Sequence, residues 1–402
     1  VRTPADMDHF AKIRYTLQWL AVAGLALSLS ACGLFSRDES EPPAELTDFE
    51  VRGEPSERWS ASLGRGGDRF LWEVYPAIED ERVFAAGADG RIVAHDRESG
   101  ARAWQTRLDD VRIASGVGVG EGIVVVGTLE GLAIAVSDDG EGERWRNQLS
   151  SEVIGISEVA SGMVIARTND GRLHAMDAAT GAVQWTALRT TPALSLRGAH
   201  VPQIVGGRVL AGFDDGRLMM LGLTRGNTLW EATLGVPTGR SEVERMVDVD
   251  GHIPVYRGAA LGVSYQGRMA AVDLNSGELY WDREFSSYQG GDVSISRNVM
   301  VVSDADSHVR AVDPRNGGDL WENAGLRLRG VTAPVIHEGY AIVGDFEGYL
   351  HWLDLEDGEF AARTRVARGA VVARPVLEGD TLYVITDNGR LTAIDARIDE
   401  DA

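Results

Sequence analysis

The sequence predicts an all-β fold: an eight-bladed β-propeller of four-stranded antiparallel blades, with the last blade closed by the N- and C-terminal strands together. Three observations carry this. Tryptophan recurs along the 402-residue chain at spacings of 40–51 residues, a small turn-forming residue stands eight positions before most of these tryptophans, and the repeat is cut open at the two ends in complementary places. Units of roughly 40–45 residues built from short strands are the signature of propeller blades.

The tryptophans are Trp59, Trp104, Trp145, Trp185, Trp230, Trp281 and Trp321, and one further step lands on Ala362, a degenerate copy. Eight residues before each, from Trp104 onward, stand Asp96, Ser137, Asp177, Gly222, Asp273, Asp313 and Asp354, and the pattern begins again at Asp395. A turn glycine usually lies between, as in Asp177-Ala178-Ala179-Thr180-Gly181 before Trp185. Upstream, Asp89-Gly90, Asp170-Gly171, Asp215-Gly216 and Asn388-Gly389 are hairpin turns whose glycine accepts positive φ. β-Branched runs such as Ile123-Val124-Val125-Val126 precede such turns, and no segment after the N-terminal apolar run sustains a helical period.

The ends complete each other. The C-terminal unit reaches Ala393-Ile394-Asp395 and lacks its tryptophan strand, while Arg58-Trp59-Ser60-Ala61 is a tryptophan strand lacking the rest of its unit. Joining them makes an eighth blade and leaves no open seam to invite association. Residues 57–397 are therefore read as the propeller.

What precedes it is an address. Arg2, Lys12 and Arg14 lead into an apolar run from Leu17 to Ala31, the order of an export signal. Leu29-Ser30-Ala31-Cys32-Gly33 resembles a bacterial lipobox, which implies cleavage of residues 1–31 and acylation of Cys32, the one cysteine of the chain. The competing reading is an ordinary transmembrane anchor with a chance cysteine. Acyl chains bury ~0.8 kcal/mol per methylene, so several chains hold a protein to a bilayer almost permanently. Gly33 in place of Asp, by resemblance to known sorting rules, implies the outer membrane. Residues 32–56, rich in Glu, Asp, Ser and Pro, are expected to be a flexible acidic tether.

Composition excludes several functions. A formal charge of −22 repels phosphate and argues against nucleic-acid partners. One cysteine cannot build a disulfide framework or a multi-cysteine metal site, and no H-E-x-x-H, P-loop, dinucleotide or G-x-S-x-G motif occurs. No cofactor, metal ligand or catalytic residue is assigned. A tryptophan repeated in unit after unit serves what every unit needs, packing on its neighbour, and the repeated Asp is expected to bind amides of its own turn.

Two family resemblances bear on function. The repeat is similar to that of quinoprotein alcohol dehydrogenases, which implies pyrroloquinoline quinone, calcium and a vicinal disulfide, the last impossible with Cys32 alone. Including the lipobox, the chain resembles the BamB family of outer-membrane lipoproteins over nearly its whole length, most specifically at Leu194-Ser195-Leu196-Arg197-Gly198, at 242–250 and at 348–352. That resemblance implies a non-catalytic scaffold of the β-barrel assembly machinery, anchored on the periplasmic side of the outer membrane and bound to the POTRA domains of BamA, with unfolded outer-membrane proteins as further partners. It assigns docking to Leu194, Leu196, Arg197, Asp248 and Asp250. Both segments follow an outer strand and precede the next inner strand, so they are expected as adjacent exposed loops with the leucine anchors and charged rim of a binding patch. The alternatives are that both are ordinary linkers, with Arg197 paired inside the chain, or that the protein is a periplasmic quinoprotein-like oxidoreductase or ligand-binding propeller.

Overall fold

A computed structural model describes residues 41–67, 74–189, 192, 194–196 and 201–398. Its strands form eight antiparallel four-stranded sheets. Blades 1 to 7 each use four consecutive strands: blade 1 holds Ala77–Glu79, Arg82–Ala86, Arg91–Asp96 and Arg102–Arg107, and blades 2 to 7 follow at 118–148, 153–188, 203–233, 255–285, 291–323 and 335–365. Blade 8 takes three strands from 376–395 and its outer strand from Glu57–Ser62, in register with Trp59 opposite Ala393. The closure read from the split repeat is thus the observed one.

The core is eight apolar clusters, each lying between two neighbouring blades. Phe84 and Ile92 of blade 1 meet Val124 and Ile134 of blade 2 in one; Trp59 and Tyr383 of blade 8 meet Val83 and Val93 of blade 1 in another. Both faces of the two middle strands are therefore buried, which is why these strands read as unbroken apolar runs and do not alternate.

The repeat residues tie each blade to the next. The indole N–H of Trp59 donates to the carbonyl of Arg97 at 3.0 Å, that of Trp104 to Asp138 at 2.7 Å, that of Trp145 to Ala178 at 2.8 Å and that of Trp185 to Leu223 at 2.7 Å. Each acceptor is the residue just after the Asp slot of the following blade. Each ring also lies on that blade's turn glycine: a Cβ at Gly100, where φ is +70°, would stand 2.5 Å from the Trp59 ring. Glycine here answers two demands at once, positive φ and ring contact. The Asp slot acts within its turn as expected, Asp96 accepting Ser99 N–H at 2.8 Å and Asp177 accepting Thr180 N–H at 2.9 Å.

One expectation is overturned from Ala44 onward. The segment read as the end of a flexible tether is laid across blade 7. Ala44 N–H donates to Arg327 O at 2.9 Å and Arg52 N–H to Ala361 O at 2.8 Å, and Leu46 packs into the cluster between blades 6 and 7. The composition misled because Glu45, Asp48 and Glu50 do face solvent, while Leu46 and Phe49 among them turn inward.

Candidate functional site

The linker leaving blade 3 and the linker leaving blade 4 meet. Leu196 N–H donates to Asp248 Oδ2, which joins residue 196 to a carboxylate 52 positions on. Leu194, two residues earlier, exposes 42% of its surface. Leu196 is half-buried. Arg197 and Cys32 lie outside the described residues.

Asp248 and Asp250 differ from expectation: they are not rim charges but are 0% and 6% exposed. The reason lies in the path of the linker. Met246 to Asp250 is pressed onto blades 4 and 5, with Val249 N–H donating to Phe213 O at 3.2 Å and Tyr265 N–H to Asp248 O at 2.8 Å. A Cβ on Gly212 would stand 2.1 Å from Val249 O, so the linker fits only because glycine lies beneath it.

Burying two carboxylates demands a cation. Arg167 supplies it, itself 2% exposed. It stands at the end of the second strand of blade 3, where blades 2, 4 and 7 carry Gly127, Gly212 and Gly344. Its guanidinium pairs with Asp214 of the blade 4 hairpin turn, reaches Asp250 at 3.5 Å and donates to Gly212 O at 2.8 Å. The three carboxylates Asp214, Asp248 and Asp250 bring oxygens within 4.8 Å of one another. Burial raises the Asp248 pKa to about 7; the Leu196 N–H opposes this, the neighbouring Asp214 charge adds to it and Arg167 opposes it. The sequence reading missed Arg167 and Asp214. The available signal was a charged residue closing the apolar run Val164-Ile165-Ala166-Arg167.

A cavity of about 430 Å³ opens at the hub beside these linkers, lined among others by Tyr75, Glu158, Gln203, His252, Tyr288 and Arg374. Its described walls do not fit pyrroloquinoline quinone, a tricarboxylate. Arg374 already pairs with Asp292 at 2.9 Å, and the walls add Glu158, whose pKa burial pushes up, and Asp250. A trianionic ligand would meet carboxylates with little free positive charge to offset them.

Comparison with known proteins gives the family. A family model described as outer membrane protein assembly factor BamB matches residues 54–114, 88–323 and 305–400. A BamB from Pseudomonas aeruginosa is 39% identical over 382 residues, covering 95% of this chain and 100% of that protein, and one from Xanthomonas campestris is 38% identical over 92% of this chain and 96% of that protein. The crystal structure of BamB from Moraxella catarrhalis superposes with a TM-score of 0.78 at 27% identity, covering 85% of this chain and 99% of that one. A europium-containing methanol dehydrogenase shares the fold alone, with a TM-score of 0.67 at 13% identity over 83% of this chain and 84% of that one. The chain therefore belongs to the BamB family of outer-membrane protein assembly factors, a role that is not enzymatic.

Proposed function

We propose that this assembly factor is a scaffold subunit that docks on the periplasmic POTRA domains of BamA, within the assembly complex, through the loop carrying Leu194, Leu196 and Arg197. The observation that carries this is the junction between Leu196 N–H and Asp248. It ties the linker down at Leu196, two positions from Leu194, whose side chain stands in solvent, so an apolar anchor lies next to a position already held before the partner arrives. Preorganisation of this kind removes part of the ordering cost of binding. Asp248 serves from behind, holding the loop at Leu196, Asp250 pairs with Arg167, and neither buried carboxylate meets the partner's surface. Unfolded outer-membrane proteins are further candidates as partners.

We further propose that Cys32 is the acylated N-terminus of the mature chain, so that the propeller faces the periplasm from the inner leaflet of the outer membrane. The experiment for docking is capture of the full chain by the periplasmic part of BamA, compared with Leu194→Ala. Retained capture with an unchanged fold would remove the loop from the interface. The experiment for the anchor is the mass of the mature N-terminal peptide, where unmodified Cys32 would refute acylation.

A further inference from the structure

On blade 7 the segment 44–52 lies against a group of arginine and aromatic side chains. Arg363, on its outer strand, stacks over the ring of Phe49 at 4.9 Å and over that of Phe360 at 5.4 Å, and the two rings lie 5.5 Å apart. The same guanidinium donates to Thr47 O at 3.1 Å. Beside it, buried Arg329 donates to Ala44 O at 3.0 Å and pairs with Asp345 and Glu347. Arg52 closes the far end by pairing with Asp354, the Asp-slot residue of this blade. Arg329 and Arg363 thus hold the segment by its carbonyls while Phe360 and the Arg363 guanidinium pack on Phe49, an arrangement that receives an extended backbone with an inward aromatic ring. Within residues 44–52, Ala44, Leu46, Phe49 and Arg52 are the partly buried positions, while Glu45, Thr47, Asp48, Glu50 and Val51 are exposed.

We propose that this cleft is a dedicated docking surface for residues 44–52, and that it fixes where the membrane anchor leaves the propeller. This rests on the reading of Cys32 as the lipid attachment. Without the docked strap, the chain would depart from the outer strand of blade 8, and residues 33–56 would separate Cys32 from that point. With it, the departure point moves back to Arg327, at the junction of blades 6 and 7, and residues 33–43 alone separate Cys32 from the strap. At ~3.6 Å per extended residue the reach falls from roughly 85 Å to roughly 40 Å. In a ring of eight blades, blade 7 lies opposite blade 3, whose outgoing linker carries Leu194. The disc is therefore suspended from one side with its candidate docking loop beginning on the other.

The test uses the full mature chain in bilayers and a strap-only variant, Phe49→Ala with Arg52→Ala, which leaves every blade residue in place. Hydrogen exchange should show slow amides at Ala44 and Arg52 in the parent, and that protection should be lost in the variant while blade amides are unchanged. Energy transfer from a dye on Gln184→Cys in blade 3 to labelled lipid should fall in the variant as the disc drifts outward. Fast exchange at both amides in the parent, or equal transfer in parent and variant, overturns the proposal. Exchange is also read in Cys32→Ser, where the strap should stay protected. Failure of the acylation reading shows separately, in the mass of the N-terminal peptide.

Discussion

The indole N–H of Trp352 donates to the carbonyl of Ala396 at 2.8 Å, and this one bond replaces the tryptophan that the repeat lacks at Ala362. In blades 1, 2, 3, 5 and 6 the outer-strand tryptophan stands opposite an alanine on the adjacent strand, as Trp104 does opposite Ala94. Blade 7 reverses the rung, with Trp352 opposite Ala362. The indole still reaches the residue after the next Asp slot, Asp395, so the degenerate copy is a transposition across one rung.

That transposition predicts a rescue. Trp352, 0% exposed, should cost about 3–5 kcal/mol when changed to Ala. Ala362→Trp alone should also destabilise, because Trp352 already fills the slot. The double exchange Trp352→Ala with Ala362→Trp restores the arrangement of the other blades and should recover part of the loss. Denaturant melts of the four proteins decide it; a double variant no better than the sum of the singles refutes the equivalence.

Ring closure predicts that removing Arg58 to Leu63 destabilises the whole disc, since blade 8 then loses its outer strand and the Trp59 indole leaves the Gly100 turn. Trp59→Ala alone should cost about 3–5 kcal/mol, the ring being 8% exposed. Thermal melting of the deletion variant is the check, and an unchanged midpoint would show that closure lies elsewhere.

The buried Asp248 predicts a specific pH dependence. Its pKa is raised from 3.8 to about 7, so its contribution to stability is fully present below about pH 4 and is lost as pH rises towards 7. Asp248→Asn keeps an acceptor for Leu196 N–H and removes the charge. It should stabilise the protein at pH 8 by about 1 kcal/mol or more, since one pKa unit is worth ~1.4 kcal/mol, with the advantage gone near pH 4. Melts of both proteins across that range test this; an Asn variant less stable at pH 8 would count against a strained carboxylate.

Binding should separate from folding at the loop. Leu194→Ala should weaken capture by BamA by about 2 kcal/mol or more with an unchanged melting midpoint, as expected of an exposed anchor. Arg197→Glu should do more harm than Arg197→Ala. Arg167→Met, in contrast, strands buried carboxylates and should lower stability by about 3–5 kcal/mol before any effect on binding is read.

Acid should loosen blade 7. Buried His351 sits 3.1 Å from Asp345 Oδ2 through Nε2 and accepts Arg363 Nε–H at Nδ1, also 3.1 Å, so the ring is neutral with its proton on Nε2. Burial lowers its pKa, against the opposing pull of Asp345, while Arg363 and Arg329 lower it further. A depressed histidine contributes stability that is present above pH 6.5 and lost as pH falls through the folded value. A second proton on Nδ1 would face the Arg363 donor and free the group that holds Thr47 and Phe49. His351→Gln should flatten the decline in stability below pH 6.5, read from melts between pH 7.5 and pH 5.

The sequence by itself determined the blade count, the four-strand unit and the split closure. These depend on contacts made identically in each blade, such as the Trp59 ring on Gly100 and the Asp96 turn, and what repeats in space must repeat in the chain. It also placed Leu194, Leu196 and Asp248 in linkers that do meet. Tertiary structure alone decided the departures from the repeat. Trp352 does the work of position 362 because two strands face each other, a relation that spacing along the chain does not register. Asp248 and Asp250 are buried, not displayed, because Arg167 and Asp214 come to them from blades 3 and 4, 83 and 36 residues from Asp250. The strap at 44–52 reads as tether because two apolar side chains among acids make no local pattern; only the Arg363 cleft, more than 300 positions away, gives Phe49 something to pack against.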